Sequence, residues 1–144
     1  MSDQPSNRKL LPAIGDTTRF RKTVGESDVY LFAGITGDLA GNHVDEETMA
    51  AGPYGGRIAH GLLVLGYCGA TSTAMGGRSG RSCVSYGYDR VRFTAGVAIG
   101  DTLEVTYTIA EQDQERQRTT ADITIVNQAG RTVMVARHIL AFLD

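Results

Sequence analysis

The chain has 144 residues, 42% hydrophobic and 21% charged, which is the size and make-up of one globular domain with a single core and excludes a disordered tail protein. Its 14 Lys and Arg against 16 Asp and Glu leave a formal charge of -2 and no basic block. That excludes the electrostatic footprint of a nucleic-acid or membrane-surface binder. Cys68 and Cys83 have neither metal-ligand spacing nor further cysteines to pair with, so no zinc site or disulfide framework is expected, and a reducing cytoplasm is the simplest setting.

The N-terminus, MSDQPSNRKLLPAIGD, lacks the apolar core of a secretory signal and reads as a loosely ordered lead-in over residues 1–16. A strand is expected at Arg19–Val24, where residues alternate and Gly25 follows. Ser27 is placed to cap a short helix with Asp28 in its first turn, apolar Val29, Phe32 and Ala33, and Gly37 as its stop. DLAGNHVDEE has no period and reads as a loop, after which Asp45 caps a second short helix through Met49 and Ala51. GPYGGR returns to irregular structure.

Ile58–Gly77 is the longest uncharged stretch, but Gly61, Gly66, Gly69 and several hydroxyls make it a poor lipid-facing span. It reads as one long buried helix from His60 to Met75, with glycines that imply something packed close to its backbone. GGRSGRS then forms a loop. Beyond residue 80 the composition turns to strands: Cys83–Phe93, the alternating Leu103, Val105, Tyr107 and Ile109, Thr119–Val126, and Thr132–Phe142, the last two joined by the turn NQAG. The last strand is apolar on both faces. Helices followed by antiparallel strands define an α+β domain, one long helix filling the face of the sheet.

Three histidines are available for chemistry. His138 lies among apolar strand neighbours and reads as structural. His43 follows Asp38 by five residues in a glycine-containing loop, and a carboxylate beside an imidazole makes an acid/base pair.

The stretch FAGITGDLAGNHVDEETMAAGPYGGRIAHGLL resembles the hydratase motif of the MaoC-like dehydratases, also called R-specific enoyl-CoA hydratases. Thr36, Gly37, Asp38 and His43 match its first part, and Ile58, Ala59, His60 and Gly61 match its last. RFTAGVAIGDTL adds Arg92, Phe93, Val97, Gly100, Asp101 and Leu103. The resemblance covers most of residues 20–142 and implies a hot-dog fold, an antiparallel sheet wrapped around one long helix, with residues 1–144 expected as a single domain. It implies reversible hydration of a trans-2-enoyl-CoA to an R-3-hydroxyacyl-CoA without metal or redox cofactor.

By the same resemblance Asp38 and His43 activate the water, and the Gly61 amide holds the thioester carbonyl with Ala59 and His60 beside it. His60 is then a packing and loop-anchoring residue. Tyr54, Leu62, Leu65 and Tyr67 are candidates for the acyl pocket, and a homodimer or higher homo-oligomer is expected, because hot-dog domains pair their sheets edge to edge. The chain departs from the family in Ala40 and Gly41, which replace Asn-Pro, with Asn42 a candidate substitute, and in Gly96, which replaces Pro. Thioester hydrolysis and a non-catalytic acyl-CoA-binding role are the alternatives, since one fold hosts several chemistries.

Overall fold

The computed structural model describes residues 10–143; residues 1–9 of the expected lead-in lie outside the described residues. Five strands form one antiparallel sheet: β1 (Thr17–Thr23), β2 (Cys83–Phe93), β3 (Thr102–Asp113), β4 (Arg118–Val126) and β5 (Thr132–Phe142). Their order across the sheet is β1-β3-β4-β5-β2, leaving β1 and β2 as edges. Two irregularities in the β2–β5 register, between Ser85 and Gly87 and between Asp89 and Arg92, interrupt the ladder. Arg90 lies in the second at φ 53, the sort of local twist a bulge introduces.

The period-two pattern becomes a buried face. Leu103, Val105, Tyr107 and Ile109 of β3 are at most 1% exposed, and Ala121, Ile123 and Ile125 of β4 join them in the core. In β5 the even-numbered residues from Met134 to Phe142 are buried, whereas Val135, Arg137, Ile139 and Ala141 are half-buried on the other face. The strand's apolar outer face is therefore not a second core.

Five helices fill the connections: α1 (Glu26–Thr36), α2 (Gly41–Val44), α3 (Glu46–Ala50), α4 (Gly61–Gly66) and α5 (Cys68–Ser79). α1 begins one residue before Ser27, and Gly25 is its cap position. The cap is made from inside the helix, where Asp28 accepts the Gly25 amide at 2.7 Å while pairing with Lys22 at 2.9 Å. These bonds hold the Asp28 carboxyl below its ordinary range, the Gly25 amide contributing most. Gly37 ends the helix at φ 80, its amide bonded to Ala33 O. Asp45 caps α3 as the pattern predicts, accepting the Thr48 amide at 3.0 Å.

The expected single helix is two, and it is longer. Tyr67 separates α4 from α5 while keeping right-handed backbone angles, its amide reaching Val64 O in a tightened turn. α5 then runs through GGRS to Ser79, four residues past the expected end, and stops at Gly80 at φ 62. The close approach implied by glycine occurs at Gly76, where a Cβ would lie 2.4 Å from Cys83 Sγ, and at Gly61; Gly66 and Gly69 face open space. α5 packs on β1 and β3, with the Thr18 hydroxyl of β1 donating to Thr71 O. This is the sheet-around-helix arrangement of the hot-dog fold. Among the described residues no helix is long and apolar enough to cross a membrane.

Residues 10–16 are attached to the sheet. Leu11 is buried against Leu140 and Phe142, the Gln112 amide donates to Pro12 O, and the Gly15 amide donates to Ile109 O.

Candidate active site

The segment expected as a loop carries the one-turn helix α2, closed by His43 N to Ala40 O and Asp45 N to Gly41 O. Four residues are too few to show a hydrophobic period, so nothing in the sequence announces it. The turn buries His43 to 7% exposure and leaves the Asp38 side chain more than half exposed. Ahead of α2, Ala40 N and Asp38 N bond Asp38 Oδ1 and the Thr36 hydroxyl, at 3.4 and 3.3 Å.

His43 Nδ1 lies 2.7 Å from Ile58 O. A carbonyl only accepts, so Nδ1 carries the proton and Nε2 presents its lone pair. Asp38 Oδ2 is 3.8 Å from that Nε2, too far for a direct hydrogen bond and close enough for one water to donate to both. His60 Nε2 donates to Asp38 O at 2.9 Å, so its buried Nδ1 is an acceptor, and it has no partner. The two imidazoles stack with centroids 3.7 Å apart and planes 23° from parallel, and Phe32 closes the other side of His60 at 4.8 Å.

Asp38, His43 and His60 bring potential ligand atoms within 4.8 Å of one another.

A cavity of about 400 Å³ opens beside His43 and is lined by Gly61, Val64, Phe93, Val97 and Val133. Tyr54 and Asn42 also line it. Gly61 opens α4, where a first-turn amide has no intrahelical acceptor, and no hydrogen bond to it is found among the described residues. The Ala59 amide, by contrast, is taken by Val97 O at 2.7 Å. A Cβ on Gly61 would lie 2.8 Å from the Phe93 ring, which explains glycine at this wall.

Of the four residues expected in the acyl pocket, Tyr54 lines the cavity and the other three do not. Leu62 is 63% exposed, while Leu65 and Tyr67 pack against the core, Tyr67 beside Phe20. Phe93, Val97 and Val133 come from strands and loops distant in sequence, and only the motif around RFTAGV pointed to two of them.

His138 is fully buried between Ser85 Oγ at 2.7 Å and the Tyr107 hydroxyl at 2.8 Å, beside the Tyr88 ring. A neutral ring offers one donor and one acceptor, which these hydroxyls satisfy. Burial pushes its pKa down to about 4, so it is uncharged at neutral pH and ill suited to general-base work.

An acid/base pair beside a cavity, backed by a helix that crosses an antiparallel sheet, defines a hot-dog-fold protein with a candidate active site. Among solved structures, the unliganded R-hydratase PhaJ1 from Pseudomonas aeruginosa matches with a TM-score of 0.80 at 27% identity, covering 92% of this chain and 83% of that one. The (R)-hydratase from A. caviae has a TM-score of 0.81 at 20% identity, covering 91% and 97%, a likeness of fold. The family model described as "MaoC like domain" matches residues 9–129, and the chain belongs to that family. An (R)-specific enoyl-CoA hydratase of Rhodospirillum rubrum is 35% identical over 127 residues, 84% of this chain and 86% of its own. A 3-hydroxybutyryl-CoA dehydratase of Methylorubrum extorquens is 39% identical over 105 residues, 73% and 65% of the two chains.

Proposed function

We propose that this protein is a hydro-lyase that adds water reversibly to a trans-2-enoyl-CoA, giving an R-3-hydroxyacyl-CoA. The observation that carries the proposal is one arrangement: His43 and Gly61 line the same cavity, one with its Nε2 lone pair and the other with a free amide, and the Asp38 carboxylate, outside the cavity lining, stands 3.8 Å from that Nε2. The names and coverage of the curated relatives support the same chemistry.

The thioester carbonyl accepts the Gly61 N–H, where the helix start favours the negative charge that develops on oxygen. One water donates to both His43 Nε2 and Asp38. As its oxygen bonds to the β-carbon, the proton passes to the pair, and the electrons of the double bond move onto the thioester as an enolate. Return of a proton to the α-carbon from the same face completes a syn addition. The overall step is redox-neutral and is proposed to need no metal or cofactor besides the CoA thioester.

The edge strand β2 exposes Val84, Tyr86 and Phe93, which supports association of two copies, and we assign a homodimer or higher homo-oligomer on that ground. The two free thiols suit a reducing, cytoplasmic setting. Crotonyl-CoA tests the activity: loss of the conjugated enoyl absorbance without free thiol supports hydration, and release of thiol contradicts it. Chiral analysis of the product tests the R assignment.

A further inference from the structure

His43 lies on a one-turn helix, which does not hold a catalytic ring in place by itself. Besides the stacked His60 ring, its restraint comes from the segment beginning at Arg57. The Ile58 carbonyl takes His43 Nδ1–H, the Ile58 amide donates to Asn42 O at 3.0 Å, and on the other side Ile58 bridges Ala98. Ile58 is thus a splint between α2 and the loop leading into β3.

The side chain before it is the most heavily bonded on this part of the surface. The Arg57 guanidinium pairs with Glu26 in the first turn of α1 and with Glu46 in the first turn of α3, and donates to the Tyr30 hydroxyl at 3.0 Å. Although its carboxylate partners are more than half exposed, the Arg57 side chain is only 14% exposed. Tyr30 in turn donates to Val44 O at 3.2 Å, the carbonyl immediately after His43. One planar fork therefore joins the helices on either side of α2 and reaches the backbone of Val44, the residue after His43, through Tyr30.

We propose that Arg57 is a positioning residue for the reaction: by clamping α1 and α3 across α2 it holds the Ile58 carbonyl where it fixes His43 in the Nδ1–H form. Arg57 touches neither the cavity nor the reacting atoms. The inference rests on the hydratase reading for its kinetic consequence, and its structural consequence is readable without turnover.

The experiment compares wild type with Arg57→Met, Arg57→Lys and Tyr30→Phe, measuring kcat and KM on crotonyl-CoA and the imidazole nitrogen signals of His43, assigned against His43→Gln. Arg57→Met is expected to lower kcat by about tenfold or more with KM little changed, a misplacement effect. The His43 nitrogens should leave the pure Nδ1–H pattern for an averaged one, while circular dichroism stays that of wild type. Arg57→Lys keeps the charge without the fork and should recover part of kcat. Should Arg57→Met fail to fold, Tyr30→Phe leaves both Arg57 ion pairs in place, removes the hydroxyl that joins Arg57 to Val44 O, and should still shift the His43 signals and lower kcat a few-fold. Unchanged kcat and unchanged His43 signals in the folded variants would overturn the proposal. Inactive wild type with His43 signals that still respond to Arg57 would instead overturn the hydratase reading.

Discussion

The imidazoles of His43 and His60 lie face to face, 3.7 Å apart, and each is fixed by a different backbone carbonyl: His43 by Ile58 and His60 by Asp38. The stack thereby ties the two parts of the motif, residues 36–43 and 58–61, into one unit. His60 contributes orientation on both sides, holding the Asp38 backbone with its Nε2 and supporting the His43 ring with its face. His60→Ala should lower kcat about tenfold to a hundredfold with little change in KM, less than the loss on removing His43 itself. Steady-state kinetics on crotonyl-CoA of the two variants, run side by side, check the order.

The close contact at Gly61 makes a stability prediction. A methyl there would stand 2.8 Å from Phe93 Cε2, so the ring must move. Overpacking of this kind costs about 1–3 kcal/mol. Gly61→Ala should therefore melt several degrees below wild type, and adding Phe93→Ala should restore most of the loss. Thermal melts of the single and double variants decide it; a double variant no more stable than Gly61→Ala would show that Phe93 is not the obstacle.

Gly96, standing where the family pattern has Pro, is explained by Tyr54. A Cβ on Gly96 would lie 2.6 Å from Tyr54 Cε1, so glycine is what lets this ring sit on the backbone at the cavity wall. Tyr54→Ala should enlarge the cavity and move the ratio of kcat/KM for an eight-carbon over a four-carbon enoyl-CoA about tenfold toward the longer chain. Gly96→Ala, which displaces the same ring, should change this ratio as well. A ratio unaltered in both would remove Tyr54 from the acyl pocket.

His138 makes stability depend on pH. Its folded pKa is about 4 against an ordinary 6.5, so between these values the unfolded chain binds the proton and the folded one does not. Stability contributed by the neutral ring is complete above about pH 6.5 and falls as pH drops toward 4, by about 3 kcal/mol in total. His138→Gln should flatten the fall between pH 6.5 and 4 in denaturant titrations, although its amide leaves the whole curve lower by disturbing Ser85 and Tyr107.

The sheet was legible because burial is periodic. Every second residue of β3 from Leu103 to Ile109 is in the core, and the boundaries of β2 and β5 agree with those expected. The long helix was legible as an uncharged run but not in its extent. GGRS reads as a loop by glycine content, whereas Gly76 is in the helix because Cys83 leaves no room for a side chain. The cap of α1 is Gly25 and not Ser27, because Asp28 bonds backward to Gly25 and leaves Ser27 inside the helix.

At the site, the spacing of Asp38 and His43 is local and visible. The part of the cavity lining that comes from Phe93, Val97 and Val133 is made by tertiary structure. A helix with small residues all round does not declare which face meets a pocket, and so Leu62, Leu65 and Tyr67 could not be told from Val64. Arg57 was equally silent, because its partners are spread from Glu26 to Glu46 and only the fold brings them together.

In the proposed reaction Asp38 and His43 share one water beside the Gly61 amide. The most direct measurement is turnover of crotonyl-CoA by wild type, Asp38→Asn and His43→Gln, following enoyl absorbance and free thiol together. Wild type should hydrate the substrate without thiol release, and each folded variant should lose about 10²–10⁴-fold in kcat, the range for a removed acid/base group. Hydration retained within a few-fold in both variants would contradict that reaction.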